Sequence, residues 1–290
     1  MRIAGIGDNV IDRYLNKGVM YPGGNAVNVA AHSAMLGADS AYIGVIGDDL
    51  GGSIIASSLR SLGVDLSQSV FPRGATTKTC DVNVYDGERE EVGYDTGSCW
   101  AHKVAITDSD VNYLHDFDAV LTSVNAKLQD YVFRFSELNC LVVYDFSVKD
   151  KYRTEDYFNL VCPYIDLGLF SCSNQTNDEV AELLRRAVSH GCSYAIATRG
   201  GEPPVFYDGE FSYEGVVDRV DALDTMGAGD SYLSAFVVSC LSGGWRKGVP
   251  LNKESIAKAF KRAAEYSAEN CLRPGGFGFE HSISGMVAKA

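Results

Sequence analysis

The sequence predicts an α/β fold with a mostly parallel central sheet, and two observations support this prediction. Short apolar runs rich in β-branched residues alternate along the chain with longer stretches of helical pattern. The chain has 290 residues, of which 46% are hydrophobic, so it can bury one large core. Because no linker, internal repeat or low-complexity tract divides it, we expect a single domain over residues 1–290.

The individual elements follow from this alternation. Strands are predicted at Arg2–Gly7, Ser40–Ile46, Ala119–Ser123, Cys140–Phe146, Asp166–Phe170 and Ser193–Thr198. Helices are predicted at Asn25–Leu36, Leu50–Leu62, Leu128–Leu138, Asn177–His190, Gly227–Leu241 and Lys253–Asn270. A helix that connects two strands of one sheet makes those strands parallel. Ligands of such sheets bind beyond the carboxyl ends of the strands, which is where we expect the functional site.

Two segments, residues 10–19 and 76–95, break the alternation because they have an extended, strand-like pattern without a helix between them. The second contains Asp86-Gly87 between two strand-like runs, which predicts a β-hairpin turn. We interpret the two segments as a small β-sheet lid over the site. The alternative is a surface hairpin without a function.

Charge and cysteine content restrict the class of function. The net charge is −13 and the Lys and Arg residues are not clustered, which argues against nucleic acid as a partner. No segment is long and apolar enough to predict a membrane span, and the first residues are too short an apolar run for a signal peptide. Eight scattered cysteines without a Cys-x-x-Cys pair predict buried thiols in a reducing, cytoplasmic setting.

The most informative segment is 224–230, Asp-Thr-Met-Gly-Ala-Gly-Asp, which runs directly into the helix predicted at Gly227–Leu241. A helix N-terminus exposes unpaired N–H groups and the positive end of the helix dipole, and small residues let an anion approach them. The segment therefore predicts a phosphate site, with Asp230 placed as a general base. The alternative is a tight loop in which an aspartate simply starts a helix.

A second start of a helix among small residues lies near the N-terminus, at Pro22-Gly23-Gly24-Asn25-Ala26-Val27-Asn28. The two segments together, in this order and at this separation, resemble the two signatures of the ribokinase-like sugar kinases, the PfkB family. This resemblance implies a three-layer α/β/α fold with a β lid. It also implies ATP-dependent transfer of a phosphoryl group to a primary hydroxyl of a small sugar, with Mg²⁺ as cofactor.

Three further segments narrow the resemblance. Within the family, Gly5–Asp12, Tyr144–Ser147 and Gly275–Gly278 look most like the bacterial fructosamine kinases of the fructoselysine 6-kinase group. A fructosamine such as fructoselysine is therefore the expected substrate. Fructose, ribose, ketodeoxy sugar acids and nucleosides stay open as alternatives. Lids of this family often pair between subunits, so the resemblance is also compatible with a homodimer formed through the lid.

The resemblance implies a role for each matching residue. Asp230 is the base, the backbone N–H groups of Gly227, Ala228 and Gly229 form the anion hole, and Asp224 anchors the loop beside a monovalent cation such as K⁺. The sugar is expected to be bound by matching or nearby polar and glycine residues. These are Asp12, Gly23, Gly24 and Asn28, with Asn9 and Asn125 as further candidates after strand ends.

The nucleotide side departs from the family pattern. Thr198 and Gly200 match a turn near the nucleotide, and Asn174 falls in the segment that contacts phosphate, but Pro203-Pro204 replaces the usual small residues. Asn177 stands where a glutamate that positions magnesium is expected, with Asp178 or Glu179 as replacements after a small shift. The magnesium ligands therefore stay open. The carbonyls of the closing segment 273–278 are candidates for binding potassium, and a flexible tail is the alternative.

Three other classes of function differ in how well they fit the sequence. Gly5-Ile6-Gly7 after the first strand mimics part of the fingerprint of a dehydrogenase, but the third glycine is absent and no helix follows. No Gly-x-x-x-x-Gly-Lys-Ser/Thr motif of a P-loop occurs. A family member that binds sugar or nucleotide without catalysis, as a sensor, stays open.

Overall fold

The computed structural model describes residues 1–85, 88–102 and 104–284. The hairpin turn predicted at Asp86-Gly87 lies outside the described residues. The strands are β1 Arg2–Ile6, β2 Val10–Tyr14, β3 Val19–Gly23, β4 Asp39–Ile43, β5 Thr79–Tyr85, β6 Glu88–Asp95, β7 Ala119–Ser123, β8 Leu141–Asp145, β9 Leu167–Ser171, β10 Tyr194–Arg199, β11 Glu202–Tyr207, β12 Ser212–Glu214 and β13 His281–Ser282. The α-helices are α1 Asn25–Met35, α2 Leu50–Ser61, α3 Asp108–Leu114, α4 Glu155–Val161, α5 Asn177–Ser189, α6 Ala228–Ser242 and α7 Lys253–Cys271.

The central sheet has eight described strands in the order β12-β11-β10-β9-β8-β7-β1-β4. The strands from β10 to β4 in this order are parallel, and β11 and β12 are added antiparallel at one edge. The expectation of a mostly parallel sheet is therefore confirmed. Because its strands are parallel, their carboxyl ends lie along one edge of the sheet, where predicted site residues lie at or after the ends of β1, β7, β9 and β10.

Alternate residues of the central strands pack into two separate cores, one on each face of the sheet. Val120 and Val142 belong to a core with Leu114, Phe158 and Leu184 of helices α3, α4 and α5. Their neighbours along the strands belong to the other core, with α6 and α7. These residues are Leu121, Leu141, Val143, Phe236 and Phe260. Helices thus cover both faces of the sheet, and the predicted three-layer α/β/α fold is confirmed.

The predicted lid is a second sheet of five described strands in the order β13-β3-β2-β5-β6. It includes both expected segments, but it is larger than predicted because β3 and β13 also belong to it. The sequence pattern does not predict β3, because its end, Pro22-Gly23, resembles the start of a helix. Pro22 is tolerated there because, among the described residues, β13 pairs with Met20 and Val19 and no strand pairs with Pro22 on that side.

Other elements also differ from the prediction, among them the short edge strand β12, which the sequence pattern does not predict. The helix expected at Leu128–Leu138 is wrong, because that segment forms only a 3-10 helix at Val132–Glu137. The short helices α3 and α4 were not predicted; each is started by a threonine cap, Thr107 and Thr154. β11 was missed because it contains Pro203-Pro204. These prolines lie at an irregularity in the pairing of β10 with β11, where the ladder does not need their missing N–H groups.

Gly5 of β1 lies almost in contact with the first turn of α1. A Cβ atom at this position would lie 2.3 Å from the carbonyl oxygen of Ala26. Only glycine therefore allows strand and helix to approach this closely. The approach sets the distance between the carboxyl end of β1 and the N-terminus of α1.

We expect Gly5→Ala to lower the free energy of unfolding by about 1–3 kcal/mol, because the backbone of α1 must move to admit the methyl group. Urea denaturation measures this loss. Gly201→Ala is the matched control, since a Cβ there meets nothing within 4 Å, and it should change stability by less than about 0.5 kcal/mol. Equal stability of the two variants would contradict the close approach.

Candidate active site

The loop before α6 is shaped by glycine. Gly227 has a φ of 71° and caps the helix, and a Cβ on it would lie 2.7 Å from the Gly276 carbonyl oxygen. Gly229, in the first turn, has open space where a side chain would be. The N–H group of Ala228 donates to the Thr225 carbonyl at 3.2 Å, so it must exchange this partner before it contacts an anion. The first turn of α6 is otherwise approachable, as an anion site requires.

Asp230, in the same turn, is held by two amide side chains from the first turn of α1. Asn25 Nδ2 donates to Asp230 Oδ1 at 2.5 Å, and Asn28 Nδ2 donates to Oδ2 at 2.6 Å. Burial raises the pKa of Asp230 to about 8; the Asn28 hydrogen bond opposes this rise, and the nearby Asp145 and Asp8 add to it. The N-termini of two helices therefore meet at one carboxylate with a pKa suited to accepting a proton near neutral pH.

Two further carboxylates lie beside Asp230. Asp145, at the end of β8, accepts from Asn25 Nδ2 at 2.9 Å and from the Ser147 amide at 2.7 Å, and burial raises its pKa to about 6. Asp8, just after β1, accepts from the Asn25 amide at 3.2 Å. Its Oδ1 is buried without a hydrogen-bond partner among the described residues, and burial raises its pKa.

Sequence reasoning gave no role to Asn25, Asp8 or Asp145. The available signal was position: Asp8 and Asp145 stand at the carboxyl ends of neighbouring parallel strands, and Asn25 directly follows the Gly-Gly pair. Asn25 is the residue that joins the group, since its backbone and side chain contact all three carboxylates.

Asp12, predicted to bind sugar, is a buried residue of the lid strand β2. Burial raises its pKa to about 7, against the attraction of Arg89 and Lys78. A Cβ on Gly23 would lie 2.3 Å from Asp12 Oδ2, and one on Gly24, whose φ is 104°, would lie 2.7 Å from the Asn9 Cα atom. The two glycines thus make room for Asp12 and for the turn after β1.

Asn9 and Asn125 both line a cavity of about 460 Å³ at the carboxyl ends of β1, β7 and β8. Asn9 donates its amide to Tyr42 OH at 2.9 Å and to the Val45 carbonyl at 2.7 Å, so it mainly shapes the cavity wall. Asn125 accepts from Lys149 Nζ at 2.8 Å. Asp8 also lines this cavity, which therefore lies next to the Asn25–Asp230 contact. Its volume is in the range of small-molecule sites.

Asp224 connects the lid, the loop before α6 and the C-terminal segment. It accepts from Tyr14 OH of β2 at 2.6 Å, from the Met226 amide at 3.0 Å and from the Gly275 amide at 2.7 Å. The side chain is fully buried. These hydrogen bonds hold Asp224 in place, so Asp224 anchors the loop before α6. The Gly276 carbonyl, a candidate potassium ligand, already accepts from His32 Nε2 at 3.0 Å and Asn270 Nδ2 at 3.1 Å.

The predicted nucleotide residues lie together at the ends of β9 and β10. The Cys172 amide donates to the Thr198 carbonyl at 2.7 Å, and a Cβ on Gly200 would lie 3.4 Å from Ser173 Oγ, so the segment that leads to Asn174 starts beside Thr198 and Gly200. We call Asp230 and the residues around it, Asn25, Asn28, Asp8 and Asp145, the Asp230 group. Among the described residues, none of the three nucleotide residues forms a hydrogen bond to this group. Glu179 is used in a capping box with Thr176, whereas Asp178 is exposed. Within the described ranges, no group of three or more His, Cys, Asp and Glu residues is arranged to hold a metal ion.

We expect Tyr14→Phe to lower the free energy of unfolding by about 1–3 kcal/mol, because the buried Asp224 carboxylate loses one of its donors. Chemical denaturation measures the change. Tyr85→Phe is a suitable control, since this tyrosine belongs to the same sheet but is 57% exposed. If Tyr14→Phe loses no more free energy of unfolding than the control, the hydrogen bond from Tyr14 to Asp224 does not anchor the loop.

Comparison with known proteins points to one family. The model of the pfkB family carbohydrate kinases matches residues 8–278. The chain is 31% identical to fructosamine kinase FrlD of Bacillus subtilis, over 96% of this chain and 94% of the relative. It is 29% identical to fructoselysine 6-kinase of Escherichia coli, over 91% and 96% of the two chains.

A solved structure shares the fold. It is an E. coli protein described as a ribokinase II, in complex with ATP and Mg²⁺, which superposes with a TM-score of 0.76 at 19% identity over 95% of this chain and 94% of the other. In the part of the chain that the structure describes, no helix is long and apolar enough to cross a membrane. The family match over most of its length, together with this fold, shows that the chain belongs to the pfkB family of carbohydrate kinases.

Proposed function

We propose that the protein transfers the γ-phosphoryl group of ATP to a primary hydroxyl of a fructosamine such as fructoselysine, giving a 6-phosphate. The observation that carries the proposal is the position of Asp230. Its carboxylate lies in the first turn of α6, beside a glycine-shaped loop and next to the 460 Å³ cavity. A base and an anion site in one helical turn are what transfer to a hydroxyl requires.

In this proposal, Asp230 accepts the proton of the sugar hydroxyl while the first-turn amides of Gly227–Gly229 bind the transferring phosphate. Asn25 and Asn28 orient the carboxylate before the substrate binds. Asp12, Asn28 and the cavity residues Asn9 and Asn125 bind the sugar. Bound Mg²⁺ would neutralise phosphate charge, and the exposed Asp178 is the residue we assign beside it. A potassium ion next to Asp224 also remains part of the proposal.

Two features support a fructosamine. The similarity to proteins named fructosamine kinase and fructoselysine 6-kinase extends over almost the whole chain. The amine that distinguishes these sugars carries a positive charge near neutral pH. Asp8 presents a buried carboxylate oxygen without a partner among the described residues, at the wall of the cavity, where an ammonium group would satisfy it. The ATP and Mg²⁺ bound by the superposed ribokinase II support the choice of phosphoryl donor.

A coupled assay of ADP release tests the substrate. The panel contains fructoselysine, other fructosamines, fructose, ribose, ketodeoxygluconate and adenosine, each with ATP and magnesium. We expect selective turnover of a fructosamine. Turnover of a different sugar alone would support a sugar kinase but contradict a fructosamine as its substrate. Sugar or ATP binding without any turnover would favour the sensor.

We expect Asp230→Asn to lower kcat by about 10²–10⁴-fold, because the variant has no carboxylate to accept the hydroxyl proton. Steady-state kinetics with the best substrate of the panel measure the effect. Asp39→Asn is the matched control, since Asp39 is exposed at the opposite, amino-terminal edge of the sheet. Full turnover by Asp230→Asn would contradict its assignment as the base.

The pH dependence gives a separate test of the same carboxylate. Because the base must be deprotonated and its pKa is raised to about 8, kcat/KM should rise with pH through that region. Asn28→Ala removes a hydrogen bond that lowers this pKa, so the midpoint should move to higher pH. Asn112→Ala, on the exposed surface of α3, should leave the midpoint in place. A shift to lower pH in Asn28→Ala would contradict this prediction.

Two less specific proposals concern the setting of the enzyme. A cytoplasmic location is supported by eight free thiols, seven of them buried. A homodimer through the lid is supported by its edge strand β6, on which Val92 and Tyr94 are 54% and 66% exposed. Sedimentation velocity would decide the second of these.

A further inference from the structure

The cavity beside the Asp230 group has a charge opposite to that of the chain. The protein has 25 basic and 38 acidic residues. Of the described side chains that line the cavity, however, only Asp8 is acidic, and four are lysines: Lys78, Lys127, Lys149 and Lys151. A group of positively charged side chains in a negatively charged protein needs a reason, because like charges repel one another at short distance.

The lysines come from two parts of the fold. Lys78 directly precedes the lid strand β5, whereas Lys149 and Lys151 belong to the loop that follows β8 of the central sheet. The lid and the sheet thus bring positive charges to the same space. Lys127 is the remaining member, and its ammonium lies 3.3 Å from the centre of the Trp100 ring at the cavity wall.

Three of these lysines have no carboxylate partner. Among the described residues, neither Lys78, Lys149 nor Lys151 forms an ion pair within 4.0 Å, while Lys247, Lys258 and Lys261 elsewhere in the chain do so. Lys149 donates to a neutral amide, that of Asn125. Burial, and then the charges of Lys78 and Lys151, lower the pKa of Lys149. None of these three lysines is therefore in a close ion pair with a described residue, although Asp8 and Asp12 attract Lys78 from a distance and Asp8 and Glu91 attract Lys149.

We propose that Lys78, Lys149 and Lys151 form a subsite for an anionic group of the sugar substrate, namely the carboxylate of the amino acid attached to a fructosamine. This inference rests on the proposed function. A fructosamine derived from an amino acid has an ammonium near the sugar and a carboxylate farther out. The cavity offers the complementary order, with Asp8 next to the Asp230 group and the lysines around the remaining wall.

The phosphates of ATP are the other anions near this site. Their proposed place is the first turn of α6, and the predicted nucleotide residues Thr198 and Gly200 lie at the end of β10 and directly after it. The lysine-lined cavity lies instead at the ends of β1, β7 and β8, on the side of the sheet order toward β4. The subsite is therefore assigned to the sugar substrate, and the experiment separates the two anions.

The test compares fructoselysine with fructoselysine amide, in which a neutral carboxamide of similar size replaces the carboxylate. The variants are Lys149→Ala, Lys151→Ala and Lys78→Ala, and the control is Lys258→Ala on the exposed surface of α7, whose side chain is 72% exposed. For the wild type we expect kcat/KM to be about tenfold higher for the carboxylate than for the amide. In the cavity variants this preference should fall toward one, through KM, because kcat/KM should fall more for fructoselysine than for the amide.

Several results would overturn the inference. One is a wild-type enzyme that does not prefer the carboxylate; another is a preference that survives in the cavity variants as it does in Lys258→Ala. An increase of KM for ATP with both sugars would assign the lysines to the nucleotide instead. If neither fructosamine is phosphorylated, the proposed function fails. Calorimetric binding of the same two compounds then decides the subsite, and equal affinities would reject it.

Discussion

The contact between the first turns of α1 and α6 is the constraint on which the site depends. Asn25 and Asn28 of one helix hold both carboxylate oxygens of Asp230 on the other. Neither helix could start at its present position if the glycines near its N-terminus carried side chains. Gly5 lets α1 approach β1, and Gly227 lets the loop before α6 pass the Gly276 carbonyl. The predicted base is thus positioned by two rigid elements and not by a mobile loop.

The same contact concentrates negative charge. Asp8, Asp145 and Asp230 lie together, and burial raises the pKa of each of them. Asn25 provides hydrogen bonds to all three, which reduces the cost of holding them without a substrate. A sugar that brings hydroxyl and ammonium donors would replace these bonds. Raised pKa values of neighbouring carboxyl groups are typical of functional sites.

Much of the fold was predictable, because it follows from local pattern. The parallel strands and the helices α1, α2, α5, α6 and α7 were found to within a few residues, since each has a clear period or a glycine start. The predictions that failed concern elements whose structure depends on tertiary context. Pro22, Pro203 and Pro204 lie in strands only because their missing N–H groups face no partner or an irregular ladder. The helix expected at Leu128–Leu138 has apolar residues whose burial does not need helical geometry.

The site divides in the same way. Asp230, Asn28 and the glycines could be predicted from sequence motifs, and the structure brings them together. Asp8, Asn25 and Asp145 are far apart in sequence, and only the topology of the sheet shows that they share one place. The lysine cluster could not be predicted either, because Lys78 of the lid and Lys149 of the loop after β8 come to the same cavity only through the fold.

The central claim is that the hydroxyl that receives the phosphoryl group binds to Asp230. A crystal structure of the complex with fructoselysine and a non-hydrolysable ATP analogue tests it most directly. The account predicts the 6-hydroxyl oxygen about 2.6–3.2 Å from an Asp230 carboxylate oxygen, with the γ-phosphate against the first turn of α6. A hydroxyl bound instead to Asp8 or Asp145, with Asp230 still held by both Asn25 and Asn28, would contradict it.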